Sequence, residues 1–243
     1  MAFSKLRNWA KHEIFGLRKE WLGLYLDDPS GWKKSPRLGN RQVESLNVWL
    51  RTTGLVTREG RETWLCRAFR ERGVEDLRLW ELLWVNVVFS FPTALWYVMR
   101  LGMGQWSTAI LRDCLLADVP RLSKRTVINA IMELVGLLER TPIGTQLGQG
   151  EVSETRPRIV ARKGLAHPSW SGICYNLISL FQKEGSGGLN IDSGLPWPWI
   201  VFGCTREFCL GGILCEGKAL FSLEDAIIRP QINVREMKDV SLF

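Results

Sequence analysis

The residues best suited to chemistry lie close together between positions 41 and 61: Arg41, Asn47, Arg51, Arg58 and Arg61. Arginine and asparagine pair bidentately with the edges of guanine and adenine, and arginine also grips phosphate. Lys33, Lys34 and Arg37 precede this set, and phosphate contacts of that kind fix orientation without reading sequence. The chemistry on offer is recognition of duplex DNA. Each of these charges also has a plainer use, because charged helix faces and loops are ordinarily solvated.

Presenting such residues requires a helix followed by a turn, and the local pattern has both. Val43, Leu46, Trp49 and Leu50 form one apolar stripe at helical spacing, with Arg41, Gln42, Glu44, Ser45, Asn47 and Arg51 off it. Gly39-Asn40 can turn and cap the helix, and Gly54 can take the positive φ that ends it. Leu55-Val56 and Thr63-Trp64-Leu65 are short β-prone runs around Arg58-Glu59-Gly60-Arg61, which predicts a basic hairpin. Helix, glycine stop and basic hairpin over residues 36–65 is the order of a recognition helix followed by a wing. A later helix, capped by Ser123, opens with Lys124 and Arg125, turns Val127, Ala130, Ile131 and Leu134 inward, and ends with Gly136-Leu137-Leu138. It repeats the same grammar loosely and predicts a second helix-turn-helix-like unit, with Lys124 and Arg125 as further phosphate contacts.

The chain around these elements is large enough, at 243 residues, to bury a substantial core. A formal charge of +7 and a pI near 9.3 favour an anionic partner, nucleic acid ahead of a membrane surface. Amphipathic helix is expected between Ser4 and Asp27. From Leu82 to Met99 no residue is charged, which meets the lower length limit for a membrane span. Asn86, Ser90, Pro92 and Thr93 interrupt that run, so the reading adopted is two core helices divided at Pro92. Residues 1–140 are expected to form the winged-helix and helical domain, and 141–167, rich in Gly, Thr, Pro and charge, a linker or long loop. Within it, Arg158-Ile159-Val160-Ala161-Arg162 can be a strand with its charges outward. Residues 168–243 then form a small C-terminal region. This contains a helix over Trp170–Glu184, a flexible turn at Gly185-Ser186-Gly187-Gly188, a helix over Thr205–Glu216, and a terminal strand over Ala226–Val234 that Pro230 demotes to a sheet edge.

Catalytic patterns are scarce. A Ser-His-Asp or Cys-His arrangement would have to use His12 or His167, and neither has a nucleophile motif near it. Cys66, Cys114, Cys174, Cys204, Cys209 and Cys215 include no CxxC pair, so no zinc site is expected, and the last three sit in an apolar run that predicts burial as free thiols. No glycine loop carries the lysine of a phosphate cradle. Glu151, Glu154, Asp192 and Asp225 are the carboxylates a metal-dependent nuclease would draw on, but they are unpatterned. The reading is of no cofactor and no metal. The twelve tryptophans mostly fall on apolar stripes, so core packing is their expected role, with base stacking for one or two. With no signal peptide, a reduced cytoplasmic setting is expected.

Three stretches carry a resemblance: Phe15-Gly16-Leu17-Arg18-Lys19-Glu20-Trp21-Leu22; Arg37–Val43 continuing through Trp49-Leu50-Arg51-Thr52-Thr53-Gly54-Leu55-Val56; and Leu79-Trp80-Glu81-Leu82-Leu83-Trp84 with Trp96-Tyr97. Together they resemble a bacterial domain-of-unknown-function family encoded beside PAPS-reductase-like enzymes in DNA phosphorothioation and related defence cassettes. The resemblance covers most of the chain and is clearest before Gly148. It implies a winged-helix protein that handles DNA, and some relatives nick one strand, although no catalytic residue of that nickase maps onto a position here. The combined expectation is a mainly α protein with one or two winged helix-turn-helix units and a small C-terminal helical or mixed region. It would serve as a DNA-binding component of a defence or DNA-modification complex, with co-encoded proteins, a PAPS-reductase-like one among them, as partners. Two alternatives stand beside it: a metal-dependent DNA nickase, and a subunit that docks protein or guide RNA in a CRISPR-type complex.

Overall fold

The apolar stripe of the 40–52 segment is read out as a helix in the computed structural model, which describes residues 3–11, 14–185 and 187–233. His12, Ser186 and Val234 lie outside the described residues. Helix α1 (Lys19–Asp27) buries Trp21, Leu22, Tyr25 and Leu26. Helix α2 (Asn40–Thr52) buries Leu46, Trp49 and Leu50, starts with the Gln42 side chain accepting from the Gly39 amide at 3.1 Å, and stops before Gly54 at φ +72°. Helices α3 (Trp64–Arg72) and α4 (Leu77–Ser90) follow, with the Asp76 side chain capping α4.

Pro92 begins α5 (Pro92–Trp96), which continues into a π turn over Tyr97–Leu101. The axis bends by 97° between Leu77–Ser90 and Pro92–Leu101. Pro92 cannot donate into a continuing helix, and at the first position of a new one it loses nothing. This uncharged stretch is core: Leu82, Leu83, Trp84, Val85, Val87 and Val88 of α4 and Ala94, Leu95, Trp96, Tyr97 and Val98 beyond the bend are all buried. No single helix among the described residues is long and apolar enough to cross a membrane, although the bent pair passes on length and composition when taken together.

After strand β1 (Gly104–Ser107) come α6 (Thr108–Asp118) and α7 (Lys124–Arg140), capped by the hydroxyls of Ser107 and Ser123. The expected stop at Gly136 is not there: α7 runs through it to Arg140. Gly136 lies at a close crossing, since a Cβ there would lie 3.3 Å from the Gly16 amide nitrogen, and one on Gly16 would overlap the backbone of Glu133 and Leu137. The segment 141–167, expected as a linker or long loop, holds α8 (Pro142–Thr145), β2 (Glu151–Val152) and β3 (Ile159–Arg162). Antiparallel pairing places β3 between β1 and β2, with Gly104 opposite Arg162 and Ser107 opposite Ile159. Ile143, Leu147 and Val160 from this segment join the main core.

The charges of β3 do not all face outward. Arg162 is 3% exposed and its guanidinium donates to Gln149 Oε1 (3.1 Å) and to the carbonyls of Gly102 (3.1 Å), Ile200 (2.6 Å) and Val201 (3.1 Å). Burial pulls its pKa down to about 10. This side chain ties the first sheet to the π turn and to α10 (Pro198–Phe202).

Helix α9 (Trp170–Glu184) packs along α4. A second, smaller apolar cluster joins α9 to α11 (Arg206–Cys215) and to a sheet made of β4 (Leu189–Asn190), β5 (Phe221–Glu224) and β6 (Ile227–Pro230). Strand β6 is the middle strand, not an edge. Pro230 is tolerated there because β4 reaches only Ile227 and Ile228, so the missing N–H lies past the short neighbour. Val201 and Phe202 meanwhile belong to the main core, and α4 binds α9 through Glu81, whose buried carboxylate accepts from the Ser169 amide (2.9 Å) and hydroxyl (2.6 Å).

Candidate nucleic-acid interface

Burial of Leu46, Trp49 and Leu50 leaves the other side of α2 to solvent. Arg41 and Arg51 are exposed and Asn47 is half-buried. At about 100° per residue these three fall within a sector of about 120°, and Arg41 and Arg51 lie about 15 Å apart along the axis. The exposed Glu44 shares that face, so its charge is mixed. The helix is held from behind: the Phe15 carbonyl accepts from Trp49 Nε1 at 2.7 Å and from Ser45 Oγ at 3.1 Å. Lys33 and Lys34 stand exposed on a short 3-10 turn (Trp32–Lys34) ahead of α2, with the Lys33 ammonium 5.7 Å from the buried Trp32 ring.

The expected hairpin is shorter than its sequence suggests. Thr57 N donates to Arg61 O (2.8 Å), Val56 bridges Glu62, and Thr63 N donates to Leu55 O (3.0 Å). The second arm then ends, because Thr63 is a helix cap: its hydroxyl accepts from Cys66 N at 3.4 Å and donates to Gly54 O at 2.6 Å, and Trp64-Leu65 turn into α3. Arg58 and Arg61 are both exposed on the turn, where Arg61 meets Glu59 at 3.7 Å. Glu62 is engaged by Arg70, with Nη1 at 3.0 Å from Oε2.

Along residues 33–61, Lys33, Lys34, Arg41, Arg51, Arg58 and Arg61 are exposed and Asn47 is half-buried, whereas Lys124 and Arg125 belong to a different helix. Those two are exposed at the start of α7. The part of α7 that crosses Gly16, near the back of α2, is Glu133–Leu137, about 12–20 Å farther along the helix.

A set of arginines not apparent from sequence lies at that other end of α7. One cleft, about 250 Å³, is lined by Arg18, Arg37 and Arg140 with Glu20, Trp21, Leu24 and Leu38. An adjoining cleft, about 170 Å³, shares Arg18 and Arg140 and adds Arg158 and Glu139. Arg18 rests over the Trp21 ring at 4.6 Å. Partial burial lowers its pKa, and the like charge of Arg140 lowers it further. Positions 18, 37, 140 and 158 are too far apart in sequence for any spacing rule to join them.

Other candidates for chemistry are dispersed. Among the described residues, no group of three or more His, Cys, Asp or Glu side chains could hold a metal ion. Asp76, the best-connected carboxylate, is taken by Arg72 Nε at 2.7 Å and Arg78 Nη2 at 3.2 Å. His167 packs edge-on to Phe208, ring centroids 5.1 Å apart. Of the cysteines expected to be buried in the apolar run, Cys209 is buried, Cys204 half-buried and Cys215 exposed at the end of α11. The sulfurs of Cys204 and Cys209 are 3.3 Å apart; that hydrogen bond pulls the Cys204 thiol down and pushes the Cys209 thiol up.

No protein-family model matches the chain, and no curated protein matches it by sequence. Two solved structures match by shape. A crystal structure of SspB superposes with a TM-score of 0.70 at 13% identity, and a magnesium-ion-bound crystal structure of SspB with a TM-score of 0.69 at 16% identity. Each match covers 94% of this chain and 84% of the other. At these identities the chain shares the fold of SspB over nearly its whole length, and the likeness is one of fold.

Proposed function

We propose that the chain is a DNA-binding component of a bacterial defence or DNA-modification complex of the phosphorothioation type, meeting duplex DNA with α2 and the 57–61 turn in the manner of a winged helix. The observation that carries this reading is the outward face of residues 33–61. Arg41, Arg51, Arg58, Arg61, Lys33 and Lys34 are all exposed along it, while Leu38, Leu46, Trp49, Leu50, Leu55 and Val56 between them are buried. The likeness to SspB and the resemblance to proteins of phosphorothioation cassettes support the setting, with a co-encoded PAPS-reductase-like protein as a partner. The test is affinity for a labelled duplex against salt, for the wild type and for Arg41→Ala/Arg51→Ala. The expected results are a steep fall with salt and a shallower slope in the variant, since each phosphate contact contributes about −0.9 to the slope of log K against log salt. Absence of binding at low salt refutes direct DNA recognition and leaves docking to a protein or a guide RNA as the function of this surface.

A second reading is DNA nicking, favoured by one observation, that an SspB structure of this shape holds a magnesium ion. The described carboxylates do not fit such an ion here: they form no three-residue cluster, and Asp76 is paired to two arginines. Magnesium-dependent conversion of supercoiled plasmid to open circles, lost on neutralising a single carboxylate, would establish this reading in spite of that mismatch.

A further inference from the structure

Arg37, Arg18, Arg140 and Arg158 line the two adjoining clefts as a track. Arg37 stands at one end, Arg18 and Arg140 are shared at the junction, and Arg158 lies at the other end. We infer that this track is a second DNA-contact site, holding the phosphodiester backbone of one strand between the 18–24 segment and the C-terminal end of α7. The inference rests on the DNA-binding reading above and adds to it a site away from the outward face of α2.

Three features of the cleft argue for a polyanion. First, four guanidinium groups face two carboxylates, Glu20 and Glu139. Glu139 already serves both Arg158 and Arg140, the latter at 3.5 Å, so the four arginines keep an excess of two positive charges over the carboxylates of the track. Second, Arg18 and Arg140 are near enough to repel, an arrangement that an anion seated between them relieves. Third, Arg18 is braced on the Trp21 ring, which holds its planar fork in place and lowers the ordering cost of a bidentate phosphate contact. A single phosphate would occupy only one of the two clefts. A chain of phosphates uses both.

The experiment measures fluorescence anisotropy of a fluorescein-labelled 20-base-pair duplex across a potassium chloride series. It compares the full chain with Arg18→Ala/Arg140→Ala and with Glu139→Gln. The arginine variant is expected to lose about two phosphate contacts, so its salt slope falls by about 1.8 and its low-salt affinity drops by at least about tenfold. Glu139→Gln removes a competing carboxylate and is expected to tighten binding a few-fold, which keeps the test decisive where the double variant does not fold. If the wild type binds and both variants match it in slope and affinity, the cleft is not a DNA site, and the α2 reading survives. If Arg41→Ala/Arg51→Ala is unaffected while the cleft variant weakens, the α2 reading fails and the cleft alone carries DNA. If the wild type does not bind at all, both fall.

Discussion

Arg162 offers the sharpest test of the physical reasoning, because this buried cation has no carboxylate partner and is held by carbonyl oxygens and the Tyr97 ring at 5.7 Å. In Arg162→Met the stem volume is largely kept and the guanidinium is lost. Val201 O retains the Trp84 Nε1 donor at 2.9 Å, whereas Gln149 Oε1, Gly102 O and Ile200 O lose the Arg162 donor. Three acceptors, one buried and two half-buried, at about 2 kcal/mol each cost at most about 6 kcal/mol. Against this, removing the charge recovers its desolvation. The lowering of its pKa to about 10 puts that at about 3 kcal/mol. The net loss is about 3 kcal/mol, which for a chain of this length lowers Tm by about 6–12 °C. Thermal unfolding followed by circular dichroism, with urea titration to check that the m-value is unchanged, reads this directly. A drop of less than about 2 °C would mean that the carbonyls find other donors, and the view of Arg162 as the tie between sheet and helices would be wrong.

The remaining predictions concern Glu81, two glycines and a cap. Burial raises the pKa of Glu81 against the opposing pull of its Ser169 hydrogen bonds. The folded state therefore holds this proton more tightly than the unfolded one, so the contribution of Glu81 is fully present below about pH 4.3 and declines as pH rises through its folded pKa. Glu81→Gln should flatten that decline, with the two Tm curves converging in acid; parallel curves would exclude the assignment. Gly16→Ala should cost several kcal/mol because its methyl overlaps the α7 backbone, while Gly23→Ala, in an open part of α1, should gain about 0.5–1 kcal/mol. Equal urea midpoints for the two variants would contradict the crossing geometry. Thr63→Val should lose about 1 kcal/mol with the cap of α3, measured by the same titration.

What the sequence made legible were elements with a strong period and a good cap. The stripe Val43-Leu46-Trp49-Leu50, the Ser123 cap, the break at Pro92 and the helix at 170–184 are all found in the structure. What was obscured depended on contacts between distant residues. Thr63 reads as a strand residue by type, but its hydroxyl satisfies Cys66 N and Gly54 O, and that decides for a helix start. Gly136 reads as a stop, but it sits inside its helix at the close crossing with Gly16. Arg162 closes a short apolar run as an exposed charge would, and its bonds to Gln149 Oε1 and to the carbonyls of residues 98, 102, 200 and 201 make its burial tolerable. The arginine clefts were hidden for the same reason, since Arg18, Arg37, Arg140 and Arg158 meet only in three dimensions.

The crossing of residues 15–16 with α7 also has a temporal side. The carbonyl that fastens Trp49 and Ser45 belongs to a segment whose far surface is α7, and Lys11 N meets Glu133 across 122 residues of chain. During synthesis α2 is therefore complete long before the element that clamps its backing strand has left the ribosome. Contacts closed over such separations form late and slowly. A nascent chain arrested before about residue 140 would hold α2 in a loosely seated form, so the basic surface acquires its final shape only when more than half of the protein has been made.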